Sequence, residues 1–150
     1  MYDLTNLTGK KLLILGGNPE TGVLVETANN LGIYTIVIDP NHKSPAKQFA
    51  NKHYNIDGFD IPNLSKVAKD EKVDGVLVGV ADILVRPYSE LCEELNLPCY
   101  ATSKNINALT TKDGFMEACN IYGILTIPCF KLDKNFDSDD LIKIKYPVMI

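Results

Sequence analysis

The stretch that decides the fold is Lys11-Leu12-Leu13-Ile14-Leu15-Gly16-Gly17, an apolar strand that runs into a glycine turn. A helix from about Pro19 to Leu31 follows, and Asn18 is its predicted N-cap. The next strand, Tyr34 to Asp39, ends in an acid. Strand, turn, helix and strand form a βαβ unit, and open parallel sheets bind ligands at such a turn. We therefore predict a ligand-binding turn at Gly16-Gly17.

The rest of the chain continues to alternate strands and helices. The predicted elements are a short helix at Ala46–Ala50, an extended segment at His53–Ile56, a helix from its Asp60 cap to Glu71, a central strand at Gly75–Val80 buried on both sides, a helix opened by Pro87, a short strand at Leu97–Tyr100, and helices capped by Ser103 and Thr111. This order is typical of an α/β fold with a doubly wound, Rossmann-like parallel sheet.

The pattern changes near residue 124, where we place a domain boundary between residues 1–124 and 125–150. The second part predicts a strand at Pro128–Lys131, a helix at Ser138–Lys143 and a strand that begins at Tyr146–Ile150. Because the last strand is only beginning at Ile150, we expect the chain to be a piece of a longer protein.

Composition narrows the function classes. The 150 residues are 45% apolar, and 15 basic against 19 acidic residues give a net charge of −4 without a basic cluster, so we expect no nucleic-acid partner. No stretch approaches the ~20 apolar residues of a membrane-spanning helix, and Met1–Asn6 does not resemble a signal peptide. We expect a cytoplasmic protein with no membrane partner. Four cysteines without a C-x-x-C pair predict buried thiols and no metal site.

The glycine turn matches neither common nucleotide-binding motif. In the dinucleotide motif G-x-G-x-x-G the second and third glycine positions hold Asn18 and Thr21. In the P-loop the lysine and hydroxyl positions hold Val23 and Leu24. Two interpretations stay open: a site where glycine backbone and helix N–H groups bind a small anion, or a turn needed only for tight packing.

Several side chains accompany the turn. Asp39 lies about 20 residues beyond it, the position of a ribose-binding acid in dinucleotide enzymes. Asp82 and Arg86 follow the third main strand at the same sheet edge, either to contact substrate or to pair with each other. No serine or histidine context predicts a nucleophile or a triad, so catalytic residues stay unassigned. The candidate substrate-binding residues are Gly16, Gly17, Asn18, Glu20, Asp39, Asp82 and Arg86.

The order and spacing of several short motifs resemble the N-terminal domain of ATP-grasp ligases. These ligases include the large chain of carbamoyl-phosphate synthase, biotin carboxylase and the purine-pathway ligases. The resemblance covers nearly all of residues 10–150. The motifs are Leu13-Ile14-Leu15-Gly16-Gly17, Ile38-Asp39-Pro40, Ser44-Pro45-Ala46, Val73-Asp74-Gly75-Val76, Thr111-Lys112-Asp113, Gly123-Ile124 and Pro128.

The resemblance implies different roles for the two parts of the chain. Residues 1–124 would be a pre-ATP-grasp domain whose glycine turn helps to form the acceptor-substrate site, and residues 125–150 would begin the ATP-grasp domain. In such ligases ATP phosphorylates a carboxylate or bicarbonate, a nucleophile attacks the acyl phosphate, and Mg²⁺ stabilises the phosphates. Lys112 matches the first ATP-contacting basic position of the family.

The second ATP-binding lysine, the glycine-rich lid and the metal-binding acids of the family would follow Ile150. We therefore expect these residues alone to be inactive and to bind neither ATP nor Mg²⁺ tightly. An unpaired final strand would favour self-association into a homo-oligomer. Two alternatives stay open: a stand-alone module that binds a small anionic ligand or nucleotide, and a nicotinamide-dependent oxidoreductase.

Overall fold

A computed structural model of the chain describes residues 7–128, 134–142 and 144. Its centre is a parallel sheet of four strands in the order β3-β2-β1-β4. The strands are β1 (Lys11–Leu15), β2 (Tyr34–Ile38), β3 (Lys52–Tyr54) and β4 (Gly75–Val78). In register, Leu13 of β1 lies between Ile36 of β2 and Val76 of β4. The predicted α/β, Rossmann-like class is confirmed.

Helices connect and cover the strands. They are α1 (Pro19–Asn30), α2 (Ile61–Glu71), α3 (Val85–Leu95), α4 (Ser103–Thr110), α5 (Lys112–Ile121) and α6 (Ser138–Ile142), with 3₁₀ turns at Pro45–Gln48 and Asp82–Leu84. The predicted caps Asn18, Asp60 and Thr111 are confirmed, because each side chain accepts a backbone N–H three residues on.

The core lies on both faces of the sheet. On one face Leu13, Leu15 and their neighbours on β2 and β4 pack against α2 and α3. On the other face Ile14 and Val37 pack against Val25 of α1 and Ala46. Because β1 is covered on both faces and paired on both sides, its apolar residues from 13 to 15 are fully buried.

The prediction of a central strand at Gly75–Val80 is wrong for the described sheet, where β1 and β2 are the inner strands. The strand β4 lies at one end of the sheet and stops at Val78. Gly79 then packs tightly, because a Cβ there would lie 3.1 Å from Thr21 Cβ. Beyond it Val80 is 57% exposed. The apolar run in the sequence therefore extends beyond the strand, into the loop at the carboxyl end of β4.

The predicted strand at Leu97–Tyr100 is also wrong. The Leu97 N–H donates to the Cys92 carbonyl at 2.9 Å, which closes the end of α3. The ring of Tyr100 stacks on Tyr88 with 4.7 Å between centroids. These contacts fold the segment back onto α3, so its backbone does not join the sheet.

Three element boundaries differ from the predictions. The helix α3 begins at Val85, so Pro87 lies in its first turn and does not open it. Thr102, and not Ser103, caps α4, since its side chain accepts the Asn105 N–H at 3.2 Å. The helix predicted at Ala46–Ala50 is the 3₁₀ turn at Pro45–Gln48.

The second part of the chain is described only in pieces. Residues 129–131 and 145–150 are outside the described ranges, so the strands predicted at Pro128–Lys131 and Tyr146–Ile150 stay predictions, as does the boundary near residue 124. The helix predicted at Ser138–Lys143 is seen as the short α6.

A cluster of charged and polar side chains connects the edge strand β3 to the C-terminal end of α2. Lys52 and the Tyr54 hydroxyl both donate to the Glu71 carboxylate, and the Lys11 ammonium lies 3.8 Å away. The hydrogen bonds from Lys52 and Tyr54 lower the pKa of Glu71. Because the unfolded chain has the higher pKa, this stabilisation is complete above the unfolded value of ~4.3 and is lost as pH falls through the folded value.

We therefore expect Glu71→Gln to lower the free energy of unfolding at neutral pH. The free energy of unfolding of this variant should also fall less steeply than that of the wild type as the pH becomes acidic. Urea unfolding at a series of pH values measures both effects. Asp70→Asn, at the exposed neighbouring position, is the matched control. Its free energy of unfolding should depend on pH as that of the wild type does. A Glu71→Gln profile parallel to that of the wild type would contradict the assignment.

Candidate functional site

The glycine turn lies between the loops that follow β2 and β4. A Cβ on Gly17 would overlap Ser44 Oγ and lie 3.0 Å from Asp39 Cβ, on the β2 side. A Cβ on Gly16, whose φ is +92°, would lie 3.4 Å from Leu84 Cδ1, on the β4 side. Since β2 and β4 flank β1 on opposite sides, this is the topological switch point of the sheet, where open α/β folds form their ligand crevice.

The start of α1 faces this crevice. The Asn18 side-chain oxygen accepts the Thr21 N–H at 3.2 Å and also the Thr21 hydroxyl. Helix capping therefore occupies the Asn18 side chain, whereas Glu20 in the first turn is exposed to solvent. A helix start leaves further backbone N–H groups without partners inside the helix, and these attract anions.

A buried lysine organises the loop after β2. The Lys47 ammonium donates to the Asp39 carbonyl at 2.7 Å, the Asn41 carbonyl at 2.8 Å and the Asn55 side-chain oxygen at 2.7 Å. Only 5% of Lys47 is exposed. Burial lowers the pKa of Lys47, although the nearby Asp39 acts in the opposite direction. Sequence reasoning missed this residue, because lysines are almost never buried and no motif marks this one.

The Asp39 side chain has a local role in the same loop. Its carboxylate accepts the Asn41 N–H at 2.9 Å, which turns the chain away from β2. Asp39 is half-buried, and its Cβ lies close to the Gly17 backbone. The structure therefore brings the Asp39 carboxylate to the turn and shows one hydrogen bond that orients it.

Ser44 is the second residue that sequence reasoning did not assign to the site. Its side chain is 4% exposed, stands over Gly17, and its Oγ has no hydrogen-bond partner among the described residues. The Ala46 N–H donates to the Gly17 carbonyl at 3.0 Å and keeps this segment against the turn. Buried hydroxyls are normally paired, so an orphaned one beside a glycine turn suits a ligand. The Ser44-Pro45-Ala46 motif in the sequence could have indicated a role for this serine.

A cavity of about 430 Å³ lies beside the loop after β4. It is lined by Asp82, Ile83, Val85, Arg86 and Thr110. The predicted alternative of an Asp82–Arg86 pair is wrong, because Arg86 Nε donates to Glu90 Oε1 at 2.9 Å one helical turn further on. Asp82 is exposed, lines the cavity and has no ion pair within the described ranges.

Lys112 is not joined to the glycine turn by a contact. It is the exposed first residue of α5, and the Thr111 cap before it accepts the Gly114 N–H at 3.1 Å. Thr110, two positions earlier, lines the cavity. Lys112 therefore begins its helix near the outer wall of the cavity, with its ammonium in solvent.

The described residues do not fit a magnesium site. Across residues 7–128, 134–142 and 144, no group of three or more His, Cys, Asp or Glu side chains could hold a metal ion. No helix in that part of the chain is long and apolar enough to cross a bilayer.

Residues 9–109 match the family model of the ribonucleotide synthetase preATP-grasp domain. The chain belongs to this family. The match begins before β1 and ends within α4, so it includes the glycine turn, the loop of Ser44 and Lys47, and the cavity residues from Asp82 to Arg86. The resemblance to ATP-grasp ligases seen in the sequence is thereby confirmed.

The chain is similar to three proteins of known name. The formate-dependent phosphoribosylglycinamide formyltransferase of Bacillus velezensis is 34% identical over 85 residues, which are 57% of this chain and 22% of that protein. The phosphoribosylglycinamide synthetase structure from Anaerococcus prevotii has a TM-score of 0.71 at 25% identity over 92% of this chain and 35% of its own. The N5-carboxyaminoimidazole synthetase of Staphylococcus aureus, solved with ADP, has a TM-score of 0.60 at 20% identity over 77% of this chain and 30% of its own. This last likeness shows the fold.

The chain therefore spans about a fifth of the length of the curated relative and about a third of each solved neighbour.

Proposed function

We propose that this preATP-grasp domain forms the acceptor-substrate half of an ATP-dependent ligase active site. The single observation that carries the proposal is the orphaned Ser44 hydroxyl, buried against the glycine turn at the switch point of a preATP-grasp sheet. The whole ligase would activate a carboxylate or bicarbonate as an acyl phosphate, and the acceptor held here would supply the nucleophile.

The acceptor class we propose is a phosphorylated ribose that carries an amine. Two similar proteins are named for phosphoribosylglycinamide, which has both groups. The turn supplies what a phosphate needs, namely backbone N–H groups at a helix start and the Ser44 hydroxyl as a donor. The Asp82 carboxylate, which lines the cavity and has no ion pair within the described ranges, suits an ammonium or sugar hydroxyl.

Each residue then has a defined task. Gly16 and Gly17 let the backbone approach the anion, and Asn18 holds the start of α1 in place by capping. Lys47 keeps the loop of Asp39 in position, and Arg86, which pairs with Glu90, lines the cavity. Glu20 and Lys112 lie at the exposed margins, and Lys112 is the position we propose for contact with ATP.

ATP would supply the phosphoryl group that activates the carboxylate. Lys112 is the one candidate that the described residues offer toward it, and a single exposed lysine is a weak phosphate site. We therefore expect this chain alone to show neither tight ATP binding nor ATP hydrolysis. Micromolar affinity for ATP, or ATP hydrolysis by the isolated chain, would contradict the proposal that this domain contributes the acceptor site and only a small part of the ATP site.

A comparison of two serine variants tests the proposal. Titration with ribose 5-phosphate, followed by NMR or calorimetry, should saturate for the wild type. We expect Ser44→Ala to weaken binding about tenfold or more, because a hydrogen bond to a charged group contributes about 1.5–3 kcal/mol.

Ser65→Ala is the matched control, since Ser65 Oγ is also buried and unpaired but lies on α2. It should leave the affinity unchanged. Equal affinities for the wild type and Ser44→Ala would remove the observation on which the proposal rests.

A further inference from the structure

The glycine turn has a polar neighbour on one side and an apolar neighbour on the other. On the β2 side lies the unpaired Ser44 hydroxyl. On the β4 side a Cβ on Gly16 would lie 3.4 Å from Leu84 Cδ1 and 3.9 Å from Ala81 Cβ. A phosphate that leaves water needs hydrogen bonds in return, and these two apolar side chains offer none. We therefore expect a sugar phosphate to place its phosphate against Ser44 and its sugar against Leu84.

The Leu84 side chain lies between two stretches of glycine backbone. A Cβ on Gly58, in the loop between β3 and α2, would lie 3.5 Å from Leu84 Cδ1 and 2.5 Å from Leu84 Cδ2. The same Cδ1 methyl is the one nearest to Gly16. Any side chain at position 58 would overlap the leucine, so the glycine there makes room for it.

Backbone hydrogen bonds hold both sides of this contact. The Leu84 N–H donates to the Ala81 carbonyl at 2.9 Å and closes the 3₁₀ turn before α3. The Asp60 N–H donates to the Asp57 carbonyl at 3.0 Å, across Gly58. Leu84 packs against the buried core between the sheet and the helices α2 and α3, yet it is only half-buried. A ligand at the turn can therefore contact it.

Leu84 also separates the glycine turn from the neighbouring cavity of about 430 Å³. Asp82, Ile83, Val85 and Arg86 line this cavity, whereas Leu84, in the middle of the same segment, is not among its described lining residues. The segment thus presents Leu84 to the turn and the residues around it to the cavity. An acceptor that reaches from the turn to Asp82 must pass over the leucine side chain.

We propose that Leu84 is a specificity-determining residue of the acceptor site, one that admits a slim group on the anomeric carbon of the sugar and excludes a planar base. The inference rests on the proposed acceptor function of the turn. A site rejects a competing ligand most simply by a steric clash, and the Leu84 methyl groups are placed to supply one. Without them the turn would open into the cavity, whose volume is that of a small-molecule pocket.

Two ligands that share a phosphate and a ribose test this role. Ribose 5-phosphate carries a hydroxyl on its anomeric carbon, whereas adenosine 5′-monophosphate carries adenine there. In calorimetric titrations we expect the wild type to bind ribose 5-phosphate about tenfold or more tightly than the nucleotide. In Leu84→Ala the affinity for the nucleotide should rise about tenfold, and that for ribose 5-phosphate should stay close to the wild-type value.

Backbone amide shifts give a second readout, which a purely structural role of Leu84 would not change. On titration of Leu84→Ala with the nucleotide, shifts should appear at Arg86 and Thr110, because both line the cavity that the base would enter. The wild type titrated with the same nucleotide should leave these two amides unchanged.

Leu95→Ala is the matched control. Leu95 is also a half-buried leucine packed against the same core, but it is the last residue of α3, whereas Leu84 directly precedes the first. The ratio of the two affinities should match that of the wild type. If Leu84→Ala fails to fold, Leu84→Val still lacks both Cδ methyls while it keeps part of the core contact, and it should shift the ratio in the same direction.

The outcomes separate this inference from the function on which it rests. An unchanged ratio in the folded Leu84 variant, with ribose 5-phosphate still bound and still weakened by Ser44→Ala, would overturn the role of Leu84 and leave the acceptor site in place. Equal affinities of the wild type for the two ligands would do the same. Failure of the wild type to bind ribose 5-phosphate would overturn both.

Discussion

We expect Gly17→Ala to lower the free energy of unfolding by about 3 kcal/mol, at the upper end of the cost of overpacking. The new methyl would overlap Ser44 Oγ and lie 2.7 Å from Ser44 Cβ and 3.0 Å from Asp39 Cβ. Neither Cβ is the end of a flexible side chain, so the loop after β2 must move away from the turn. Urea unfolding measures the loss, and ribose 5-phosphate binding should fall with it.

The chain offers a matched control and a compensating change. Gly75→Ala places a methyl 3.7 Å from Leu12 Cδ1, an ordinary contact, and should not destabilise β4. In the double variant Gly17→Ala with Ser44→Gly, the nearest obstacle is removed, and we expect part of the lost stability to return. A Gly17→Ala protein as stable as the wild type would show that the loop does not lie against the turn.

We expect Lys47→Met to lower the free energy of unfolding by about 2 kcal/mol. Buried acceptors that lose their donor cost about 1–3 kcal/mol each, and relief of the desolvation cost of the buried ammonium offsets part of that loss. The variant keeps the length of the side chain and leaves the carbonyls of Asp39 and Asn41 and the Asn55 side chain without their donor. Lys43→Met, on an exposed lysine of the same loop, should change stability by less than about 0.5 kcal/mol.

The pH dependence of the Lys47 effect has a defined sign. Burial lowers the folded pKa of Lys47 below the unfolded value of ~10.4, so the unfolded chain binds more protons in that window. The wild type therefore gains stability as pH rises through the folded pKa, and Lys47→Met lacks this gain. The stability difference between the two proteins should widen in alkaline solution. Parallel profiles would contradict the burial of the ammonium.

The sequence was sufficient where local chemistry decides the structure. The strand β1 is a short apolar run closed by two glycines, and its burial on both faces is what such a run predicts. Asn18, Asp60 and Thr111 cap helices because each can satisfy an N–H of its own first turn. The switch-point location of the turn follows from the βαβ unit once the strand order is known.

Tertiary contacts decided what the sequence could not show. Whether the apolar run from Gly75 is central or terminal depends on which strands pair, and that information is not local. The segment at Leu97–Tyr100 reads as a strand, but its hydrogen bonds and ring stacking attach it to α3. The Arg86–Glu90 pair was visible as an i,i+4 spacing, whereas Lys47 carried no signal of burial.

We expect the acceptor to bind at the switch-point edge of the preATP-grasp sheet. Mapping backbone amide shifts of the wild type during a ribose 5-phosphate titration tests it most directly. We expect the shifts to concentrate at the turn of Gly16 and Gly17, in the segment around Ser44 and near Asp82, and to leave Lys52 and Glu71 at the other edge unchanged. Shifts that cluster away from the turn, or saturable binding that Ser44→Ala does not weaken, would contradict the account.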